Sequence, residues 1–201
     1  MKIAGFFAAV FAAVIGGSVF VGCSAHADGY SNTAYMEYNY TDGFDSKPNV
    51  EGYTAEWFHV LCPNLVVGAK TSWSQSQYNG KKAGSTAEVV AIQVIPSIAI
   101  ADNIKGYVTI EGGDRYSNQD AFVYGSLEPG VKVTVSPTWA IQTGVRYRDD
   151  IQNSIPYQTW TVRDTLLWTA NERSTWGLRH DYIFGASNQG HGINLTYGYK
   201  F

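Results

Sequence analysis

The amino-acid sequence predicts an all-β chain, a single up-and-down antiparallel transmembrane β-barrel of ten strands. Three observations point there: few charges beside many aromatics and glycines, turn-forming clusters at one regular spacing, and alternation of apolar and polar residues between the turns. Only 15% of the 201 residues are charged while 45% are hydrophobic, with 21 Gly, 14 Tyr and 6 Trp. A soluble domain carries roughly 25% charged residues. Beyond residue 21 there is no stretch of about 20 apolar residues, the length a membrane-spanning helix requires. A net charge of −3 gives no electrostatic case for nucleic acid.

The first 27 residues form an export signal. Met1-Lys2 is a short basic start, Ile3 to Val21 is an almost unbroken apolar run, and Ala25-His26-Ala27 has the small-x-small pattern of a signal peptidase site. The mature chain is then 28–201, one barrel domain. Val21-Gly22-Cys23-Ser24 also resembles a lipobox, which leaves lipoprotein processing at Cys23 open. Cys62 stands alone unless Cys23 is retained, so a disulfide framework does not hold this domain and a closed sheet is the alternative source of stability.

Polar clusters recur at Thr41–Val50, Tyr78–Ser85, Asp114–Asp120, Asp149–Pro156 and Ala186–His191, at intervals of about 35 residues. Shorter breaks fall between them at Cys62-Pro63-Asn64, within Pro96–Asn103, at Ser136-Pro137-Thr138 and at Ala170–Ser174. Proline lacks a ladder donor and belongs at turns rather than in closed strands. Long and short breaks therefore alternate, as at the two rims of a membrane barrel, with segments of about 9–13 residues between them. Ten segments put both termini at one rim; eight or twelve are the alternatives if segments are misdivided.

Alternation is clear in Leu65–Trp73, Trp139–Arg148, Trp176–Phe184 and Ile193–Phe201. Glu88–Ile95 is apolar on both faces, and Asp164 falls on the apolar face of Trp160–Trp168 unless a bulge restores the phase. Alternation does not say which face is inside; the aromatics and the charges do. Trp139, Trp168 and Trp176 border short turns, while Trp73 and Trp160, with Tyr40 and Tyr147, lie towards the long loops, the two girdles of a membrane barrel. The polar face carries Glu37, Glu56, Lys70, Glu111, Glu128, Lys132, Arg146, Arg148, Arg163, Arg179 and Asp181. Inside a narrow barrel these line the pore and pair across it, since an unpaired ion there is costly.

Ile193, Leu195, Tyr197, Tyr199 and Phe201 alternate up to the last residue. This ending resembles the C-terminal signal of bacterial outer-membrane β-barrel proteins. The resemblance implies the outer membrane as location, with its lipid and lipopolysaccharide as surroundings, and makes Tyr197, Tyr199 and Phe201 the signal met by the barrel-assembly machinery. The run from Glu111-Gly112-Gly113 through Val145-Arg146-Tyr147-Arg148-Asp149 resembles the oligogalacturonate-specific porins of the KdgM type. That resemblance implies a porin of twelve strands, an arginine-lined pore for acidic oligosaccharides, and Arg146, Arg148, Arg163 and Arg179 as its lining.

Chemistry has little to stand on. His180-Asp181-Tyr182 with Ser187-Asn188 resembles the lipid A deacylase barrels, but Tyr182 occupies the position of the nucleophilic serine and the strand phase turns His180 to lipid. Asp42, Asp45, Asp114, Asp120, Asp149 and Asp150 put acid at the outer rim, where they read as solvated loop tips. No glycine loop cradles a phosphate, and no Cys/His spacing fits a metal. No catalytic residue, cofactor or metal is expected. Three functions remain: a narrow porin-like channel for ions or small polar and acidic solutes, a closed structural or interaction barrel, and, with least support, a lipid-modifying enzyme.

Overall fold

A computed structural model describes residues 32–44, 48–78, 81–118, 120–152, 157–185 and 189–201, with the side chains of 78 and 81–84 outside the description. The expected export signal, Cys23 and the acidic residue Asp45 lie outside the described residues. Ten strands follow in order: β1 (Asn32–Gly43), β2 (Asn49–Cys62), β3 (Leu65–Tyr78), β4 (Lys81–Ala101), β5 (Ile104–Ser117), β6 (Ala121–Thr134), β7 (Trp139–Asp150), β8 (Gln158–Thr169), β9 (Ser174–Gly185) and β10 (Gly190–Lys200). Each pairs antiparallel with its neighbours in the chain, and β1 pairs with β10, so the sheet closes with no free edge. Both ends meet at one rim, where Phe201 N donates to Asn32 O at 3.0 Å.

The strands are longer and the outer connections shorter than the turn clusters imply. β4 runs 21 residues, and the turn expected within Pro96–Asn103 narrows to Asp102-Asn103. Pro96 and Pro129 both sit inside strands, against the expectation that proline marks turns. Pro96 stands opposite Leu65, the first residue of β3, where β4 projects past its neighbour and a missing donor is harmless. Pro129 pairs with Val108 on β5, while the β6–β7 ladder lapses at 128–129 and resumes at Gly130↔Gly144. Cys62, expected to stand alone unless Cys23 is retained, is disulfide-bonded.

Residue parity decides the two faces. Met36, Tyr53, Val90, Ile92, Ile141, Leu166, Leu178, Ile193 and Leu195 all point outward, between 43% and 59% exposed. Glu111, Glu128, Asp181, Gln93 and Asn194 point inward and are buried. An apolar outside and a polar inside is the inverse of a soluble barrel and the signature of one solvated by lipid. The girdle tryptophans 73, 139, 160, 168 and 176 all face out, 37–42% exposed. Trp139 stacks on Trp168 at 6.2 Å, Tyr147 tilts against Trp160 at 4.7 Å, and Trp176 meets Tyr197 at 4.8 Å.

Two unclear segments resolve. In β4 the inward Val89 and Ala91 are buried with Phe122 and Tyr124 of β6, so part of the inner wall is apolar. β8 pairs with β7 and β9 without any register shift, so no bulge rescues Asp164, which stays on the outer face. On the inner face, rings lie across glycines of the neighbouring strand: Tyr35 over Gly198, Phe58 over Gly68, and Tyr107 over Gly130 and Gly144. The first ring of each set is the direct register partner of its glycine. Without a Cβ, the glycine leaves the ring room to cover the ladder.

Candidate functional site

A cavity of about 730 Å³ follows the barrel axis, lined from Lys105 and Lys132 near the short turns to Thr41, Ser76 and Ile183 near the opposite rim. Inward side chains of all ten strands reach it because each strand offers every second residue to the lumen. The pore-lining residues expected from the sequence, Glu37, Glu56, Lys70, Glu111, Glu128, Lys132, Arg146, Arg148, Arg163, Arg179 and Asp181, all line it.

Most of these charges form two networks. In the first, Arg179 donates to both oxygens of Glu37 at 2.7 and 2.9 Å and through Nε to Asp181 at 2.9 Å. Arg163 Nε lies 3.6 Å from Asp181 and its Nη1 donates to Glu128 at 2.7 Å. In the second, the buried Glu111 accepts from Lys70 at 2.9 Å, Arg148 at 3.0 Å, Gln93 at 2.6 Å and the Tyr124 hydroxyl at 2.7 Å. Gln93 also reaches Glu56 at 3.4 Å. Bidentate and charge-assisted bonds of this kind fix side chains as well as stabilise them.

The pairing does not cross the lumen, as the sequence reading expects, but runs round the wall. Glu37 and Arg179 sit on strands two apart in the closed order, as do Lys70 and Glu111, Arg148 and Glu111, and Arg163 and Glu128. Among the described residues no salt bridge joins opposite walls. Arg146 forms no salt bridge among the described residues and donates only to Thr161 Oγ1 at 3.4 Å.

Sequence reasoning missed several members. Gln93 hides in the doubly apolar stretch of β4, where it is the lone polar side chain from Val89 to Ile95, and that was its signal. Tyr124 and Tyr107, which no sequence pattern singles out, also face inward. Arg148 lies over the Tyr124 ring at 4.7 Å, and Arg115 over Phe122 and Tyr157 at 5.5 and 5.6 Å. Lys105, the register partner of Lys132, adds a second ammonium at the short-turn mouth. At the other rim Asp150 is no solvated tip: it is 2% exposed and accepts from Gln152 N at 2.8 Å. The deacylase-like set is split, because His180 faces out against His191 while Asp181 faces in against Arg179. Ser187 and Asn188 lie outside the described residues.

No family model matches the chain, and no curated protein does. Solved structures match over most of its length. An outer-membrane channel from Pseudomonas putida F1 is 8% identical with a TM-score of 0.55, covering 86% of this chain and 96% of that one. The β domain of the Bordetella autotransporter BrkA is 9% identical with a TM-score of 0.53, covering 85% and 100%. The KdgM porin is 8% identical with a TM-score of 0.48, covering 84% and 99%. The shared property is the fold, that of outer-membrane β-barrels.

Proposed function

We propose that this chain is a narrow, anion-preferring channel of the bacterial outer membrane. The observation that carries the reading is the rim-to-rim cavity, whose wall charges pair sideways and leave the axis clear. Spread over a lumen of ~30 Å, 730 Å³ averages roughly 24 Å² of cross-section. A cavity of that size passes water and small ions.

Five carboxylates and eight cationic side chains line the cavity, an excess of three positive charges. The mid-lumen set is balanced, five against five; the excess lies at the mouths, in Lys105 and Lys132 at one and Arg115 at the other. Charges at a mouth concentrate counter-ions and set selectivity. Lipopolysaccharide and membrane lipid surround the barrel in this reading, and Tyr197, Tyr199 and Phe201 on the closing strand are its contact with the assembly machinery. A catalytic role is not part of it, since His180 and Asp181 stand on opposite faces.

Single-channel recording in a planar bilayer with a salt gradient tests the proposal. Discrete steps with an anion-sided reversal potential are expected, and Lys105→Gln with Lys132→Gln should move that potential towards zero. A folded barrel that passes no current overturns the channel and leaves a structural or interaction barrel.

A further inference from the structure

One row of the outer face breaks the lipid rule. Thr143 on β7, Asp164 on β8 and His180 on β9 are direct register partners and all face out. Each lies four residues from a girdle aromatic on either side: Trp139 and Tyr147, Trp160 and Trp168, Trp176 and Phe184. Four residues span ~13 Å of strand, so the row sits at the middle of an apolar band about 25 Å tall. Lipid headgroups lie at the girdles, out of reach. The row is built, not incidental. Thr143 Oγ1 donates to Asp164 Oδ1 at 2.7 Å, and His180 Nε2 shares a proton with His191 Nδ1 at 3.0 Å. Phe44 packs edge-on against the His191 ring at 4.8 Å, and Tyr182 tilts beside it at 5.1 Å.

We propose that this row is the centre of an interface between two copies of the chain in the membrane plane. Ionisable groups at mid-membrane need polar partners, because hydrocarbon supplies none. The row carries both halves of such a partnership. Asp164 Oδ1 is taken by Thr143, and among the described residues the carboxylate accepts no other hydrogen bond. Whichever neutral tautomers the two histidines adopt, one ring N–H is used between them and the other points away. A two-fold axis beside the row sets the carboxylate of one barrel against the free imidazole N–H of the other, twice over, as a self-complementary interface requires. Leu166, Leu178, Val145 and Ile141 surround the row and supply apolar contact. The interface lies outside the barrel wall and is independent of whether the lumen conducts.

The test is subunit counting by stepwise photobleaching of the labelled barrel in phosphatidylcholine vesicles at high lipid-to-protein ratio. Two copies per particle are expected for the parent, and one for Asp164→Leu combined with His180→Leu. Unchanged heat-modifiable gel mobility shows that the variant is folded. A photo-crosslinking residue at Thr143 should give covalent dimers, and one at Ala69, on the opposite wall, should not. Single copies in the parent, paired copies in the double variant, or equal cross-linking from both positions overturns the proposal.

Discussion

Glu111 is the side chain on which the lumen network depends most, and Glu111→Gln tests that dependence. The carboxylate is 4% exposed and accepts four hydrogen bonds, two of them from the cations Lys70 and Arg148. Gln keeps the shape and one oxygen, so the Tyr124 and Gln93 bonds survive in part while both cations lose their counter-charge. Removing one partner of a buried pair costs about 3–5 kcal/mol in a dry interior. Here the cavity beside Glu111 admits water, which places the loss near the lower end, about 3 kcal/mol. The same change raises the positive excess of the lumen by one charge, so anion preference should rise as stability falls. Urea unfolding from lipid vesicles, followed by tryptophan fluorescence, measures the first effect; the reversal potential measures the second. Glu88→Gln is the control, since Glu88 is exposed on the outer face. Equal unfolding midpoints for Glu111→Gln and its parent would refute the hub, whatever the conductance does.

Three further changes probe other parts of the wall. Leu178→Arg puts a cation on the outer face in the leucine row Leu166–Leu178–Leu195, and should cost about 2–4 kcal/mol in vesicle refolding; equal folded yield would show that this face does not meet lipid. Arg179→Ala frees Glu37 and Asp181 from their shared guanidinium; as with Glu111, the unfolding midpoint should fall, while the reversal potential shifts towards cations, and an unchanged potential would remove Arg179 from the ion path. Gly198→Val sets a branched side chain into the Tyr35 ring and should destabilise the closing seam by about 1–3 kcal/mol, read as a lower unfolding midpoint; a neutral result would mean that the ring can move aside.

Architecture was legible because a membrane barrel writes its geometry into composition and period. The wall residues followed from parity alone, and all eleven line the cavity. Turn lengths were less legible. Asp114 and Asp149 look like loop residues, yet both lie in strands that run on beyond the girdle into the outer rim. Proline misled in the same way, since Pro96 and Pro129 occupy places where a ladder bond is absent in any case. Pairing partners were out of reach altogether. Arg179 meets Glu37 across 142 positions of sequence, a contact fixed by barrel closure and stagger that no local pattern encodes. Asp164 was visible as an anomaly, and its geometry keeps it one: the ladder through β8 is regular, so the exposed carboxylate is a property of the surface and not a fault of phase.

The number of strands explains why charges pair along the wall. With strands ~4.8 Å apart and tilted about 40°, ten of them close at a backbone radius of ~10 Å, so opposite walls stand ~20 Å apart. An extended Arg reaches ~7 Å from its Cα and a Glu ~4 Å; with a contact of ~3 Å they bridge ~14 Å, short of the diameter. Strands two apart lie on a chord of ~12 Å, which such a pair spans with little slack. Eight strands would shrink the diameter to ~16 Å, nearly within reach of a cross-lumen bridge, and would favour a plugged core. At ten, an Arg–Glu pair finds its partner beside it, and what remains along the axis is space. The same side chains that would seal a smaller barrel become the rigid, hydrogen-bonded lining of this one. In the proposed channel, selectivity would then fall to the cations left over at the mouths, Lys105, Lys132 and Arg115, which have no carboxylate within salt-bridge distance among the described residues.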